Sequence, residues 1–334
     1  VTDVVTVTKL VKQYRVQSGL WQELRGRGER VHAVSTVSFS IGAGEVVGLV
    51  GESGCGKTTL GKMLVRLERP NAGHIHIDGA DIATLSGRAL RHFRRNTQMV
   101  FQDPFDSLNP RMTILDIVAQ PLRYLGLAPD QATARQRAVE ALERVELRPA
   151  ERFGARYPQQ LSGGQRQRVA IARALVVQPR FIVADEPVSM LDVSVRASIL
   201  TLLQRLNRET GIAILLVTHD LAVAAYLCDR VMVMYLGKLV ETLPTAEMLT
   251  GAQHPYTRLL LDSVPDLDRE GPVPDAPHGD MPSAVSPPPG CRFSTRCPLV
   301  QPQCRTEEPP LRDIGPQHQI ACHVAGLRPA PGRG

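Results

Sequence analysis

The chain has 334 residues, 43% of them hydrophobic and 22% charged, with 39 Lys and Arg against 33 Asp and Glu for a formal net charge of +6. That length suffices for one large α/β domain and something smaller. No apolar run approaches the ~20 residues that cross a bilayer, and no charged-then-apolar signal segment opens the sequence, so a soluble protein of the cytosol is expected. The basic balance alone admits nucleic acid or an anionic membrane surface. The arginines are scattered, however, and their densest group, Arg88 to Arg95, suits the solvated face of one helix.

In chain order, residues 4–39 read as short strands around a loop rich in Arg and Gly. Val46–Val50 reads as a buried strand, followed by Gly51-Glu52-Ser53-Gly54-Cys55-Gly56-Lys57-Thr58 and a helix over 59–67. The run fits G-x-x-x-x-G-K-[ST] in the order strand, glycine loop, helix. Glycines let the backbone curl into a concavity of inward N–H groups. The helix N-terminus adds its positive dipole end, and Lys57 adds a full charge near the outer phosphates. Thr58 suits the Mg²⁺ that accompanies a nucleotide. A plain tight turn at a helix start is the other reading of the same letters.

Short strands follow at 74–77 and 98–101, and apolar residues at mixed three- and four-residue spacing make 114–147 helical. The stretch from Ile114 to Val177 is expected to form an inserted helical subdomain, spanning about 112–178. Continuous apolar runs at 181–184 and 212–217, flanked by helical segments, point to a parallel sheet covered on both faces. The first run ends in Asp185-Glu186. A carboxylate at the end of a buried strand beside a phosphate loop can hold Mg²⁺, which suits Asp185. A second can take a proton from an attacking water, which suits Glu186. Alone, the pair equally ends a strand before Pro187. Leu161-Ser162-Gly163-Gly164-Gln165 opens a helix with a good N-cap at Ser162, and its paired glycines permit close approach of an anion.

With the phosphate loop and Asp185-Glu186, that pentapeptide resembles the signature of ABC-type ATPases in the family's order. The resemblance implies an α/β, ABC-type P-loop ATPase domain with a mixed-sheet core and a helical subdomain. It further implies ATP and Mg²⁺ as ligands, bound by Gly51, Ser53, Gly54, Cys55, Gly56, Lys57, Thr58 and Thr59, with Mg²⁺ on Thr58, Gln102 and Asp185. Gln102 resembles the glutamine that senses Mg²⁺ and the γ-phosphate and hinges toward a membrane partner. His219 resembles the switch histidine that keeps Glu186 and the water in line, and Tyr14 the aromatic residue that stacks on adenine. A buried tyrosine packing on the sheet is the plainer reading of Tyr14. Ser189-Met190-Leu191-Asp192 is similar to the segment that communicates across a dimer, with Met190 where the family often has a small residue.

In that family two such domains pair head to tail, so Ser162, Gly163, Gly164 and Gln165 are expected to act on a nucleotide held by a second ATPase subunit. Val100-Phe101-Gln102-Asp103-Pro104, Glu186-Pro187-Val188-Ser189 and His254-Pro255-Tyr256-Thr257-Arg258 extend the likeness to oligopeptide/dipeptide importer subunits of the DppF/OppF type. This implies an ATPase peripheral on the cytoplasmic face of the membrane, working with two permease subunits and an extracytoplasmic binding protein, and not with nucleic acid. Relatives that carry nickel, glutathione or peptide antibiotics are the near alternatives, and a soluble ABC ATPase acting on nucleic acid is the distant one.

The expected division is 1–250 for the ATPase domain and 251–334 for a C-terminal extension. Beyond Asp262 the chain is rich in proline, with Pro265, Pro272, Pro274, Pro277, Pro282 and Pro287 to Pro289, and reads as a linker or a loop laid along a surface. Cys291, Cys297, Cys304 and Cys322 follow at wider spacing than the close pairs of structural zinc sites. The family resemblance implies a [4Fe–4S] cluster here, with Arg292, Arg296 and Arg305 offsetting its charge. Zinc and free thiols remain open on spacing alone. The role expected of the cluster is to pin a tail with little core of its own.

Overall fold

The computed structural model describes residues 3–15, 29–263 and 281–325. Two strands of 13 residues, β1 (Asp3–Arg15) and β2 (Arg30–Gly42), pair antiparallel and are longer than the short strands expected there. The Arg/Gly-rich stretch between them, and Pro265, Pro272, Pro274 and Pro277, lie outside the described residues. β3 (Val46–Val50) leads through the glycine loop into α1 (Lys57–Leu64), then β4 (Ala72–Ile77), β5 (Ala80–Asp81), α2 (Gly87–Asn96) and β6 (Thr97–Val100). The helix α1 stops short of the expected 67. Arg66 adopts φ +56° after its last turn, and the N–H groups of Arg66 and Leu67 donate back to Met63 O and Lys62 O. This left-handed stop closes the open carbonyls of the helix end.

Helices α3 (Pro104–Ser107), α4 (Ile114–Tyr124), α5 (Gln131–Arg144), α6 (Ala150–Gly154) and α7 (Gly163–Leu175) fill the next stretch. Then come β7 (Phe181–Asp185), α8 (Val193–Thr210), β8 (Ala213–Thr218), α9 (Leu221–Leu227), β9 (Arg230–Tyr235) and β10 (Lys238–Pro244). The chain continues through α10 (Met248–Gly251), α11 (Pro255–Asp262), α12 (Pro302–Thr306), β11 (Arg312–Gly315) and β12 (His318–Ile320).

The larger sheet has the order β11-β12-β10-β9-β3-β8-β7-β6, and β9, β3, β8, β7 and β6 run parallel. The continuous apolar runs divide by period two between two cores. Ile182, Ala184, Ile214, Leu216, Val231 and Val233 face the helices α7, α8 and α9. Phe181, Val183, Leu215, Val217, Met232 and Met234 face α1 and the antiparallel sheet β2-β1-β4-β5. Each fully covered side chain of this kind contributes roughly 1.5–3 kcal/mol. Of the proline-rich stretch expected to be a linker or surface loop, residues 281–289 are described and carry no helix or strand. In the cysteine-bearing tail beyond it, β12 adds to the edge of the main sheet, pairing Glu241 with Ile320 and Thr242 with Gln319.

On the basic helix α2, Phe93 is buried and Leu90 half-buried while Arg88, Arg91 and Arg94 are exposed, the solvated face read from the sequence. Among the described residues, no helix is long and apolar enough to cross a membrane.

Candidate functional site

The parallel strands end at one edge, where β3 delivers the glycine loop, β7 delivers Asp185-Glu186, β8 delivers His219 and β6 delivers Gln102. Gly51 and Gly56 meet a steric demand that only glycine satisfies. A Cβ at Gly51 would lie 2.2 Å from Met234 O, and one at Gly56, with φ +105°, 2.0 Å from Ala33 O. Gly56 is also the residue that starts α1, so the first helical N–H groups open toward the loop.

A cavity of about 380 Å³ opens over this loop. Its walls include Tyr14, Ser53, Gly54, Gly56, Lys57, Thr58, Thr59, Gln102 and Glu186. Gly51 and Cys55 lie beneath the wall, with Cys55 buried and its thiol pushed up by burial. Tyr14 therefore stands at the cavity rather than under the sheet, with Lys12 Nζ 4.8 Å from its ring centroid.

Lys57 is buried, and its ammonium donates to Gly51 O at 2.7 Å and Glu52 O at 2.9 Å. Thr58 Oγ1 donates to Asp185 Oδ1 at 3.1 Å. Burial raises the Asp185 carboxyl above its ordinary range, and the Thr58 hydroxyl opposes that shift. A buried carboxylate beside a hydroxyl is a donor set that suits a hard cation. Glu186 takes φ +44°, a left-handed conformation that costs a residue with a side chain about 1–3 kcal/mol. Its N–H donates to Val217 O at 2.9 Å, which secures that turn. The carboxylate then sits between two partners: Gln102 Nε2 donates to Oε2 at 2.9 Å, and His219 Nδ1 lies 3.2 Å from Oε1.

The structure thus brings Lys57, Thr58, Gln102, Asp185, Glu186 and His219 together, and it leaves the signature segment elsewhere. None of Ser162, Gly163, Gly164 or Gln165 lines the cavity. Ser162 caps α7 in a capping box, accepting from Gln165 N at 3.4 Å while its own N–H donates to Gln165 Oε1 at 3.1 Å. Gly164 is pressed against α8, where a Cβ would come within 2.5 Å of Val195 Cγ1. Asp192 starts α8 and is exposed without a side-chain cap, between the exposed apolar Met190 and Val193.

Cys291, Cys304 and Cys322 gather in a small cluster with Ile320 and Val324, and Cys297 packs against the helix-side core. Cys291 N donates to Cys304 O at 2.8 Å. Burial, aided by the neighbouring thiols, pushes Cys291, Cys297 and Cys322 up to about 11. Among the described residues, no group of three or more His, Cys, Asp or Glu side chains is placed to hold a single metal ion. Tetrahedral zinc would require sulfurs about 3.8 Å apart. The expectation that Arg292 and Arg296 attend the cysteines is corrected. Arg292 donates to Leu236 O and Ser35 Oγ, and Arg296 Nη1 donates to both carboxylate oxygens of Glu52 at 3.0 Å. Arg305 is exposed.

Sequence reasoning missed Glu52, which occupies a variable position of the loop motif. Its N–H donates to Tyr256 Oη at 2.9 Å, so two residues of the extension grip the phosphate loop. The one available signal was the His254-Pro255-Tyr256 segment, which marks the extension but does not point to the loop.

A parallel sheet, a glycine loop opening a helix and a carboxylate held between Gln102 and His219 define an ABC-type nucleotide-binding cassette. Family descriptions agree: "ABC transporter" matches residues 34–189, and "Oligopeptide/dipeptide transporter, C-terminal region" matches 240–304. A Brucella ovis protein named for peptide import and ATP binding is 49% identical over 310 residues, covering 91% of this chain and 95% of that one. The oligopeptide transport ATP-binding protein AppF of Bacillus subtilis is 44% identical, covering 94% of each. Among solved structures, the ATP-binding cassette MJ0796, a dimer bound to ADP and phosphate, superposes with a TM-score of 0.63 at 34% identity, covering 72% of this chain and 98% of that one. This chain belongs to the family of ABC transporter ATP-binding proteins.

Proposed function

We propose that the chain is the ATP-hydrolysing subunit of an ABC importer that drives uptake of di- or oligopeptides, acting on the cytoplasmic face of the membrane. The observation that carries this reading is the carboxylate of Glu186, held between Gln102 and His219 at the mouth of the phosphate-loop cavity. The loop N–H groups and Lys57 would take the β- and γ-phosphates, with Lys57 leaving the carbonyls of Gly51 and Glu52 to do so. Thr58, Asp185 and Gln102 would hold Mg²⁺, which supplies charge neutralisation to the phosphates. Glu186 accepts a proton from water as the water oxygen bonds the γ-phosphorus. The bond to the β–γ bridging oxygen breaks, and ADP and phosphate leave. His219 orients Glu186, and Tyr14 stacks on the base.

The signature segment of a second ATPase subunit would close this cavity, and Ser162 to Gln165 of this chain would close the partner's in turn, with Asp192 at the seam; the partner is a different subunit or a second copy of this chain. Support for the permease contact is a cleft of about 680 Å³ between β6 and α4, rimmed by the exposed Leu67 and Tyr124 and adjoining the Gln102 loop. Peptide cargo follows from the relatives' printed names, and a binding protein outside the membrane would hand it to the permeases. A cytoplasmic, nucleic-acid-free role goes with this reading. The division into 1–250 and 251–334 is proposed with it.

Replacing Glu186 with Gln removes the proton acceptor and keeps the amide contacts. Steady ATP turnover should fall by roughly 10²–10⁴-fold while nucleotide binding persists; turnover at the wild-type rate would remove Glu186 from the reaction. The four cysteines are read as the ligands of a [4Fe–4S] cluster, which spreads thiolates more widely than one ion does. Anaerobically purified protein should then contain iron and sulfide in equal amounts. A colourless sample loaded with zinc, or free of metal, ends that assignment.

A further inference from the structure

We propose that the cysteine-bearing extension positions the phosphate loop, with Arg296 acting through Glu52, so that nucleotide affinity and the order of the extension are linked. Every polar group of Glu52 is engaged. Its carbonyl accepts from Lys57 Nζ, its N–H donates to Tyr256 Oη, and its carboxylate accepts from Arg296. The Cys55 N–H also donates to the carbonyl, and of these four partners Tyr256 and Arg296 belong to the extension. Tyr256 sits in the first turn of α11, and Arg296 lies on the turn between Cys291 and Cys297, where its N–H donates to Phe293 O.

This contact is built for precision. The Arg296 side chain is 5% exposed, and its Nη1 also reaches Tyr235 Oη at 3.4 Å. Tyr235, Tyr256 and Phe293 are fully buried and meet edge-on or tilted at 4.7–5.3 Å, which fixes both grips against the end of β9. Arg292, one residue after Cys291, makes a second tie to Leu236 O and Ser35 Oγ. The adjoining Gly237 donates its N–H to Cys55 O inside the loop. A loop held in place before the phosphates arrive has less freedom to lose on binding, which raises affinity. Coupling of this kind is reciprocal: whatever the extension gives to nucleotide binding, the nucleotide returns as order in the extension. Arg296 is therefore a positioning residue. It touches no reacting atom, and its effect passes through Glu52.

The inference rests on the ATP reading of the loop, and the test separates the two. Binding of a non-hydrolysable ATP analogue with Mg²⁺ is measured on the full chain as purified, alongside hydrogen exchange across 281–325. Wild-type protein should bind and show slower exchange in that segment when loaded. Arg296→Ala and Glu52→Gln should each weaken binding on the order of tenfold, within the 5- to 150-fold span usual for coupled sites. The double variant should be no weaker than either single one, and Arg296→Lys should recover part of the loss. In the variants the nucleotide should no longer slow exchange in 281–325. Wild-type protein that binds no analogue would sink the ATP reading itself. Wild-type binding matched within twofold by both variants, or losses that add in the double variant, would overturn the coupling alone. Should Arg296→Ala not fold, Glu52→Gln carries the test, because it removes one charge and no volume. A role confined to holding the tail together would lower the melting temperature and leave affinity untouched.

Discussion

In the strands β3, β7 and β8 every side chain is buried, and alternate residues feed two separate cores. The extension reaches the same sheet differently. It has a small apolar cluster of its own, a three-residue strand β12 on the sheet edge, an aromatic trio, and polar ties at Glu52 and Glu241. The ATPase core is thus held by area removed from water, which is insensitive to any one contact's geometry. The extension buries Tyr256 and Phe293 in the helix-side core and is otherwise held by a few directional contacts, each of which matters singly. Regions of the second kind open locally with less free energy than the global unfolding of the domain.

Two buried phenylalanines give the largest handle on that contrast. Phe181 is wholly buried in β7, and Phe293 is 1% exposed between Tyr235 and Tyr256. Truncation to Ala should cost about 3–5 kcal/mol at either place, but the losses should appear differently. Phe181→Ala should shift the single main denaturation transition. Phe293→Ala should leave that transition nearly in place and create an earlier one, with fast hydrogen exchange confined to 281–325 and α11. One shared transition, shifted equally by both variants, would mean that the extension is not a separable unit.

The same contrast decides what could be read before any coordinates. Val46–Val50 and the runs at 181–184 and 212–217 are continuous apolar strands because both faces are covered, and that pattern is local in the chain. The motifs lie at the ends of those strands, so Lys57, Asp185, Glu186 and His219 could be placed at one edge from order alone. What escaped reading is long-range. β12 is three residues long and follows a proline-rich stretch, too short for a period, and its partner β10 lies more than 70 positions earlier (Glu241 against Ile320). Arg296 was assigned to the cysteines beside it in sequence, whereas its partner Glu52 is 244 residues away. A charged side chain carries no mark of which distant carboxylate it will meet. Helix α1 ended early for a different reason, a left-handed Arg66 that no propensity favours.

Proton linkage offers a smaller and more local way to sharpen the comparison. His254 caps α11, accepting the Tyr256 N–H on Nδ1 at 3.1 Å, and its backbone N–H donates to the buried Glu241. The ring is 1% exposed, tilts against Phe293 at 5.9 Å, and has no partner for Nε2. Burial pushes its pKa down to about 3 from the ordinary 6.5. The folded state therefore favours the neutral ring. Its contribution is intact above about pH 6.5 and drains away as pH falls toward 3, because the unfolded chain binds a proton that the folded one refuses. The limiting slope is about 1.4 kcal/mol per pH unit. Glu241 accepts the His254 backbone N–H at 3.2 Å and lies 3.0 Å from His318 Nε2. His254→Asn keeps a capping oxygen and does not titrate. Between pH 7 and 5 the wild-type chain should lose stability relative to this variant, and the loss should register as faster exchange in α11 and 281–325 before the parallel core is affected. Parallel pH profiles for the two proteins would show that His254 is charged in the fold, and that its burial does not govern how the extension is held.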